Sequence, residues 1–237
     1  MRWPPWRRHV PASPLAELPV AAVQLAQRLP DPEALRRRAK GLAMLDAVLI
    51  EDRDSRTFDF DTGWGVSEEL ASMDDGSGNA WSITFTPVGV WLRGFDHESP
   101  MSPWAGEHDF DWLTAVPEPL RQAAAEPAFT GDDLPLVSVA CWRLREDEGW
   151  HPVRLRSGVA ADTPDGSDWL FAELEGDDAA HVAYLQESYE IEVDPQDVEH
   201  VLTLQPLSEE LVRRLNHERR LADLTQDIAR IGYPGPT

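Results

Sequence analysis

The chain has 237 residues, 42% of them apolar, with 10 Trp, one Cys and a formal net charge of −22. That length and apolar content suit a globular fold with a real core and exclude an intrinsically disordered chain. Cys141 stands alone, so no intrachain disulfide can form, and no run of about 18 apolar residues is present to span a membrane.

The charge is unevenly spread. Residues 1–45 carry eight Lys/Arg against three Asp/Glu, residues 46–200 carry eight Arg against 35 Asp/Glu, and residues 201–237 balance at five each. A body this acidic repels nucleic-acid phosphates and anionic lipid, so neither is an expected partner. It attracts a basic protein, although solubility alone also accounts for such a surface. After the Arg-rich start MRWPPWRR, Pro11, Pro14, Glu17 and Pro19 interrupt any apolar targeting segment, which points to a cytoplasmic location.

In chain order, residues 1–29 read as a flexible, Pro-punctuated extension with a short helical piece from Leu15 to Leu29. The first strong helix opens at Asp31-Pro32-Glu33. Asp accepts bonds from free amides, Pro loses nothing at the first helical position, and Glu complements the dipole. Leu35, Ala39, Leu42 and Leu45 or Asp46 follow at helical spacing.

A β-meander comes next. Phe58, Phe60, Thr62 and Trp64 alternate with Asp59 and Asp61, and Glu69 to Met73 forms a second strand. The cluster Asp74-Asp75-Gly76-Ser77-Gly78-Asn79 is turn chemistry. Trp81, Ile83 and Phe85 then alternate with Ser82 and Thr84, and after Pro87-Val88-Gly89, Val90 and Leu92 alternate with Trp91 and Arg93.

Residues 99–135 hold six Pro and read as a connection with a short helix at Glu118–Ala125. LPLVSVACWRLRE is apolar on both sides and reads as a central strand, paired with Trp150 to Arg156. The last third is helical. Asp177 to Tyr189 buries Val182, Leu185 and Tyr189, Asp194 and Ser208 cap two helices, and Leu221 to Ile231 forms a last one stopped by Gly232 and Pro234. The expectation is one α+β domain over residues 30–235, an antiparallel sheet of five or six strands with an N-terminal helix and a helical C-terminal third packed on it.

The first candidate site is the exit from the meander, Asp96-His97-Glu98, with Glu107, His108, Asp109 and Asp111 nearby in sequence. Imidazole and carboxylate can act as an acid/base pair or hold a divalent ion. Successive residues of an extended segment point to opposite sides, however, and the spacing matches no established metal motif. An organised loop is the competing explanation. Trp91 and Trp104 are candidates to line a small-ligand groove with Asp96, His108 and Asp109.

Two further clusters have simpler explanations. Asp74 to Gly78 lacks the alternating acids of a calcium loop and the Gly-Lys-Ser/Thr of a phosphate loop. Asp162 to Asp168 reads as a turn capping a helix near Trp169. Cys141, in an apolar strand, reads as a small core hydrophobe and not a nucleophile. Nothing in these motifs calls for a metal or another cofactor.

The strings GSGNAWSITFTPVGVWLRGFDHESPMSPW, PEPLRQAAAEPAF, CWR, PDGSDWL, YEIEVD and DIARIGYP resemble those of a family of uncharacterised bacterial proteins. The resemblance spans roughly residues 30–235 and implies one integral domain. It implies no activity, cofactor or catalytic residue. The favoured expectation is a non-enzymatic, immunity-type or regulatory binding protein for a basic partner. The alternatives are a metal-dependent hydrolase with His97 and Glu98 at its site, and a small-ligand-binding protein. The oligomeric state stays open.

Overall fold

The computed structural model describes residues 18–106, 110–132, 134–156, 159–189 and 192–235. It shows an α+β fold built on a six-stranded antiparallel sheet. In chain order, α1 (Val20–Arg28) and α2 (Pro32–Leu49) precede β1 (Phe58–Gly65), β2 (Glu68–Asp74), β3 (Ala80–Phe85) and β4 (Gly89–Phe95). A short helix α3 (Arg121–Ala124) and a two-residue ladder, β5 (Thr130–Gly131) with β6 (Leu134–Pro135), lie before β7 (Val139–Leu144) and β8 (His151–Pro152). Helices α4 (Asp178–Tyr189), α5 (Pro195–Leu202), α6 (Glu209–Leu215) and α7 (Thr225–Ile231) follow. The sheet order is β1-β2-β3-β4-β7-β8. Among the described residues no helix is long and apolar enough to cross a membrane.

The register explains the two faces. Phe60, Ala71, Ile83, Leu92, Cys141 and Pro152 form one row across all six strands, on the face covered by the helices. One position along, Asp59, Ser72, Ser82, Arg93 and Ala140 form a row on the opposite face. Period-2 alternation in the sequence is therefore the alternation between these faces.

On the helical face one core runs from Ala22 to Tyr233. Asp31 caps α2 by accepting from Glu33 N and Ala34 N, as the Asp-Pro-Glu signal implies. Helix α2 crosses α5 at Gly41, where a Cβ would stand 2.8 Å from Leu202 Cα, so only hydrogen lets the two backbones meet. Asp194 and Ser208 cap α5 and α6 as expected. The last element begins as a 3-10 turn, Leu221–Leu224, and becomes α7 only from Thr225. Gly232 ends it at φ 65°, the left-handed conformation glycine accepts freely.

Four expectations are corrected. Residues 20–29 are not a loose extension: Ala22 and Leu25 of α1 are buried in the main core, and Val20 N donates to Ala161 O at 2.8 Å. Burial of a Leu such as Leu25 contributes about 1.5–3 kcal/mol, enough to hold the helix down. Trp64 does not share the Phe58–Phe60 face, because the β1–β2 register shifts between Asp61 and Gly65. The bulge turns Trp64 onto Phe129, with centroids 6.0 Å apart. The segment near Trp169 is a succession of turns leading to a 3-10 turn, Ala172–Leu174, and not a capped helix.

The fourth correction concerns the Pro-rich connection. It is a packing layer, whose Met101, Trp112, Val116 and Leu120 form a second core with Trp91, Ala140 and Val153 on the non-helical face. That layer explains why β7 is apolar on both sides. It sits one strand in from the short edge strand β8, with Cys141 in the main core and Ala140 in the second.

Candidate functional site

The chain leaves β4 at Phe95 and turns through a loop fixed at nearly every residue. Asp96 N donates to Ser138 Oγ at 3.0 Å, and that hydroxyl donates to Asp165 O at 2.7 Å. Glu98 N donates to Asp96 Oδ1, an Asx turn. Ser99 Oγ donates to Pro164 O at 2.7 Å and accepts from Met101 N. The His97 backbone N and its Nδ1 both meet Asn79 Oδ1, at 3.1 and 2.8 Å. Asn79 is itself locked by Asp75, whose carboxylate also accepts from Ser77 N. Burial pushes the Asp75 carboxyl up, but the bonds from Asn79 and Ser77 outweigh it and hold the group below the usual carboxylate range.

This geometry joins the β2–β3 turn, the β4 exit, the start of β7 and the 162–168 turn. His97 and Glu98 are both exposed, and His97 is tied to Asn79 and not to Glu98. His108, Asp109 and Glu107 lie outside the described residues. Trp91 and Trp104 do not meet in a groove. Trp91 is buried and stacked on Trp112 at 5.7 Å, whereas Trp104 is 53% exposed and edge-on to Phe95. Asp162 and Asp168 are exposed while Asp165 is buried, so the three do not gather around one point. Among the described residues no group of three His, Cys, Asp or Glu converges as a metal site.

Two arrangements go beyond the sequence reading. The first is Arg93, buried on the non-helical face of β4. Its Nε donates to Ser82 Oγ at 2.8 Å, its Nη1 donates to Leu136 O, and its guanidinium lies 3.9 Å from the Phe129 ring centre. Among the described residues no carboxylate pairs with it. Burial therefore pushes the guanidinium down to about 9, which leaves it charged at neutral pH. Arg93 borders a cavity of about 120 Å³ whose walls include Trp112, Leu113, Leu136 and Val137. The signal in the sequence was an arginine between apolar neighbours, Trp91-Leu92 and Gly94-Phe95, followed by a Pro-rich segment with apolar residues of its own.

The second is Asp46, fully buried on the inner face of α2. Its Oδ2 accepts Phe58 N at 2.8 Å and ties the helix to the first residue of β1. Desolvation raises the carboxyl to about 6, against the Phe58 amide and the nearby His181 charge. His181 is buried as well, with Nδ1 on Glu173 Oε2 and its ring against Phe58 and Tyr184. The residue was legible as an inward helical position, but its partners on α4 and before it were not.

No protein-family model, curated protein or solved structure matches the chain.

Proposed function

We propose that this protein is a non-enzymatic binding factor of the immunity or regulatory type, presenting a carboxylate-rich surface to a basic protein partner. The observation that supports this reading is how the cations are used. Arg56 is paired with Asp227, Arg38 with Asp178, Arg36 and Lys40 with Glu69, and Arg230 with Asp59. Arg121, Arg156 and Arg219 donate to backbone carbonyls of Val116, Pro100 and Ala47. These cations are each committed to a specific carboxylate or carbonyl of the fold, which leaves the acids that outnumber them without a cationic partner among the described residues.

Exposed carboxylates remain at Glu51, Asp52 and Asp54, at Glu146 and Glu148, and at Asp177. With a net charge of −22, the field they create favours encounter with a cationic protein. The test is co-purification at low salt and again at about 0.5 M salt, where screening confines charge attraction to a few ångströms. A partner of high pI retained in the first and released in the second is expected. Partners that bind equally in both, or none at all, overturn the reading.

The hydrolase alternative requires His97 and Glu98 to act on one substrate, and the Asn79 bond to His97 instead supports a loop-fixing role. Small-ligand binding, the other alternative, has a specific observation in its favour, the cavity beside Arg93.

A further inference from the structure

We infer that the cavity over Arg93 is a binding site for a short-chain organic carboxylate. The inference is independent of the acidic surface. Its first ground is charge. A protein with a surplus of carboxylates has buried a guanidinium in the row Asp59-Ser72-Ser82-Arg93-Ala140 and given it no carboxylate among the described residues. A buried charge without a counter-ion is expensive, and an anion entering the cavity supplies the missing partner.

The second ground is donor geometry. A guanidinium has five N–H donors, of which Arg93 directs one to Ser82 Oγ and one to Leu136 O. These two bonds and the Phe129 ring hold the group in place, while the remaining donors have no acceptor among the described residues. A fixed planar fork suits the two oxygens of a carboxylate.

The third ground is shape and polarity. A cavity of about 150 Å³ accommodates a benzene ring. The 120 Å³ here therefore limits the ligand to a few heavy atoms, and the apolar walls at Trp112, Leu136 and Val137 select an alkyl tail over a phosphate or sulfate. Glu126 also borders the cavity, and its Oε1 accepts from Ala128 N. Its negative charge weakens the site for any anion and so favours monoanions over dianions.

The experiment is a ligand-observed NMR titration of the full chain with propionate, with propionamide as the uncharged isostere and sulfate as the inorganic anion. Propionate is expected to saturate one site with a Kd on the order of 1 mM, as its few heavy atoms allow. Propionamide and sulfate are expected to bind at least ~10-fold more weakly. Arg93→Met keeps the volume and removes the charge, and should abolish saturable propionate binding. Ala125→Leu narrows the cavity from its exposed rim without touching Arg93's bonds, and should weaken propionate ~10-fold even if Arg93→Met fails to fold. Glu126→Gln should tighten it. No saturable propionate signal with the native chain, equal binding of propionate and propionamide, or unchanged binding by a folded Arg93→Met protein would each overturn the inference.

Discussion

Asp46 makes a quantitative prediction. Its carboxyl is raised from 3.8 to about 6 by burial at the joint between α2 and β1, where it faces His181 and Arg56 and accepts the Phe58 amide. A carboxyl raised in the native state binds a proton there at pH values where the unfolded chain has released it. Stability therefore increases as pH falls through the native value, and the gain is complete only below the unfolded value. The full difference of roughly two pKa units corresponds to about 3 kcal/mol, of which about 1.4 kcal/mol appears between about pH 8 and pH 5.

Asp46→Asn retains an oxygen for Phe58 N and removes the titration. Its amide adds a buried donor whose unmet bond costs about 1–3 kcal/mol, so the absolute stability at neutral pH is the poorer readout. The informative quantity is the difference between native and variant unfolding free energies, measured by urea titration at several pH values. His181, Glu173 and the other carboxylates contribute to both proteins, and their shared part cancels. The native chain should gain about 1.4 kcal/mol relative to the variant on moving from about pH 8 to pH 5. A pH-independent difference, or a gain in the opposite direction, refutes the reasoning.

The loop after β4 yields a paired comparison. Ser138→Ala strands Asp96 N and Asp165 O in a buried place and should cost about 1–3 kcal/mol, whereas His97→Ala at the surface should cost under about 1 kcal/mol. Urea unfolding of both variants checks the order, and a larger cost for His97→Ala would contradict the structural role assigned to Ser138. Cys141 is buried, and desolvation with the nearby Asp165 charge pushes its thiol well above the usual range. A disulfide reagent at neutral pH should modify it only as fast as the fold opens, and complete reaction within the mixing time would refute that placement.

The elements legible in the sequence are those whose signals are local. The Asp31-Pro32-Glu33 cap, the alternation from Trp81 to Phe95 and the Asp74–Asn79 turn each depend on neighbours a few residues away, and each stands as read. What escaped depends on contacts far along the chain. Leu25 is anchored in a core assembled from residues as distant as Tyr233, and nothing in the segment around it announces that docking. Trp64 follows strict alternation until the β1 bulge turns it away, a one-residue event that a period-2 pattern cannot register. The burial of Arg93 is not visible in the alternation of β4 because its cover, Phe129 and Leu136, arrives more than thirty residues later. At Asp96-His97-Glu98 the residue types were visible, but the Asn79 and Ser138 bonds that make the segment a fixed loop were not.

Lys40 is the sole lysine of the chain, and its side chain is only 13% exposed, with the ammonium on Glu69 and over the Phe60 ring. Amine-directed chemistry thus finds no open side-chain target, whether the agent is an acylating reagent, a lysine cross-linker or an enzyme that attaches acetyl groups or ubiquitin. The cationic half of the charge pattern is carried almost wholly by arginine, which stays protonated at neutral and acidic pH. The acids and histidines alone can then modulate the electrostatic character of this molecule, and a change in acidity is the means of altering it that lysine modification cannot replace.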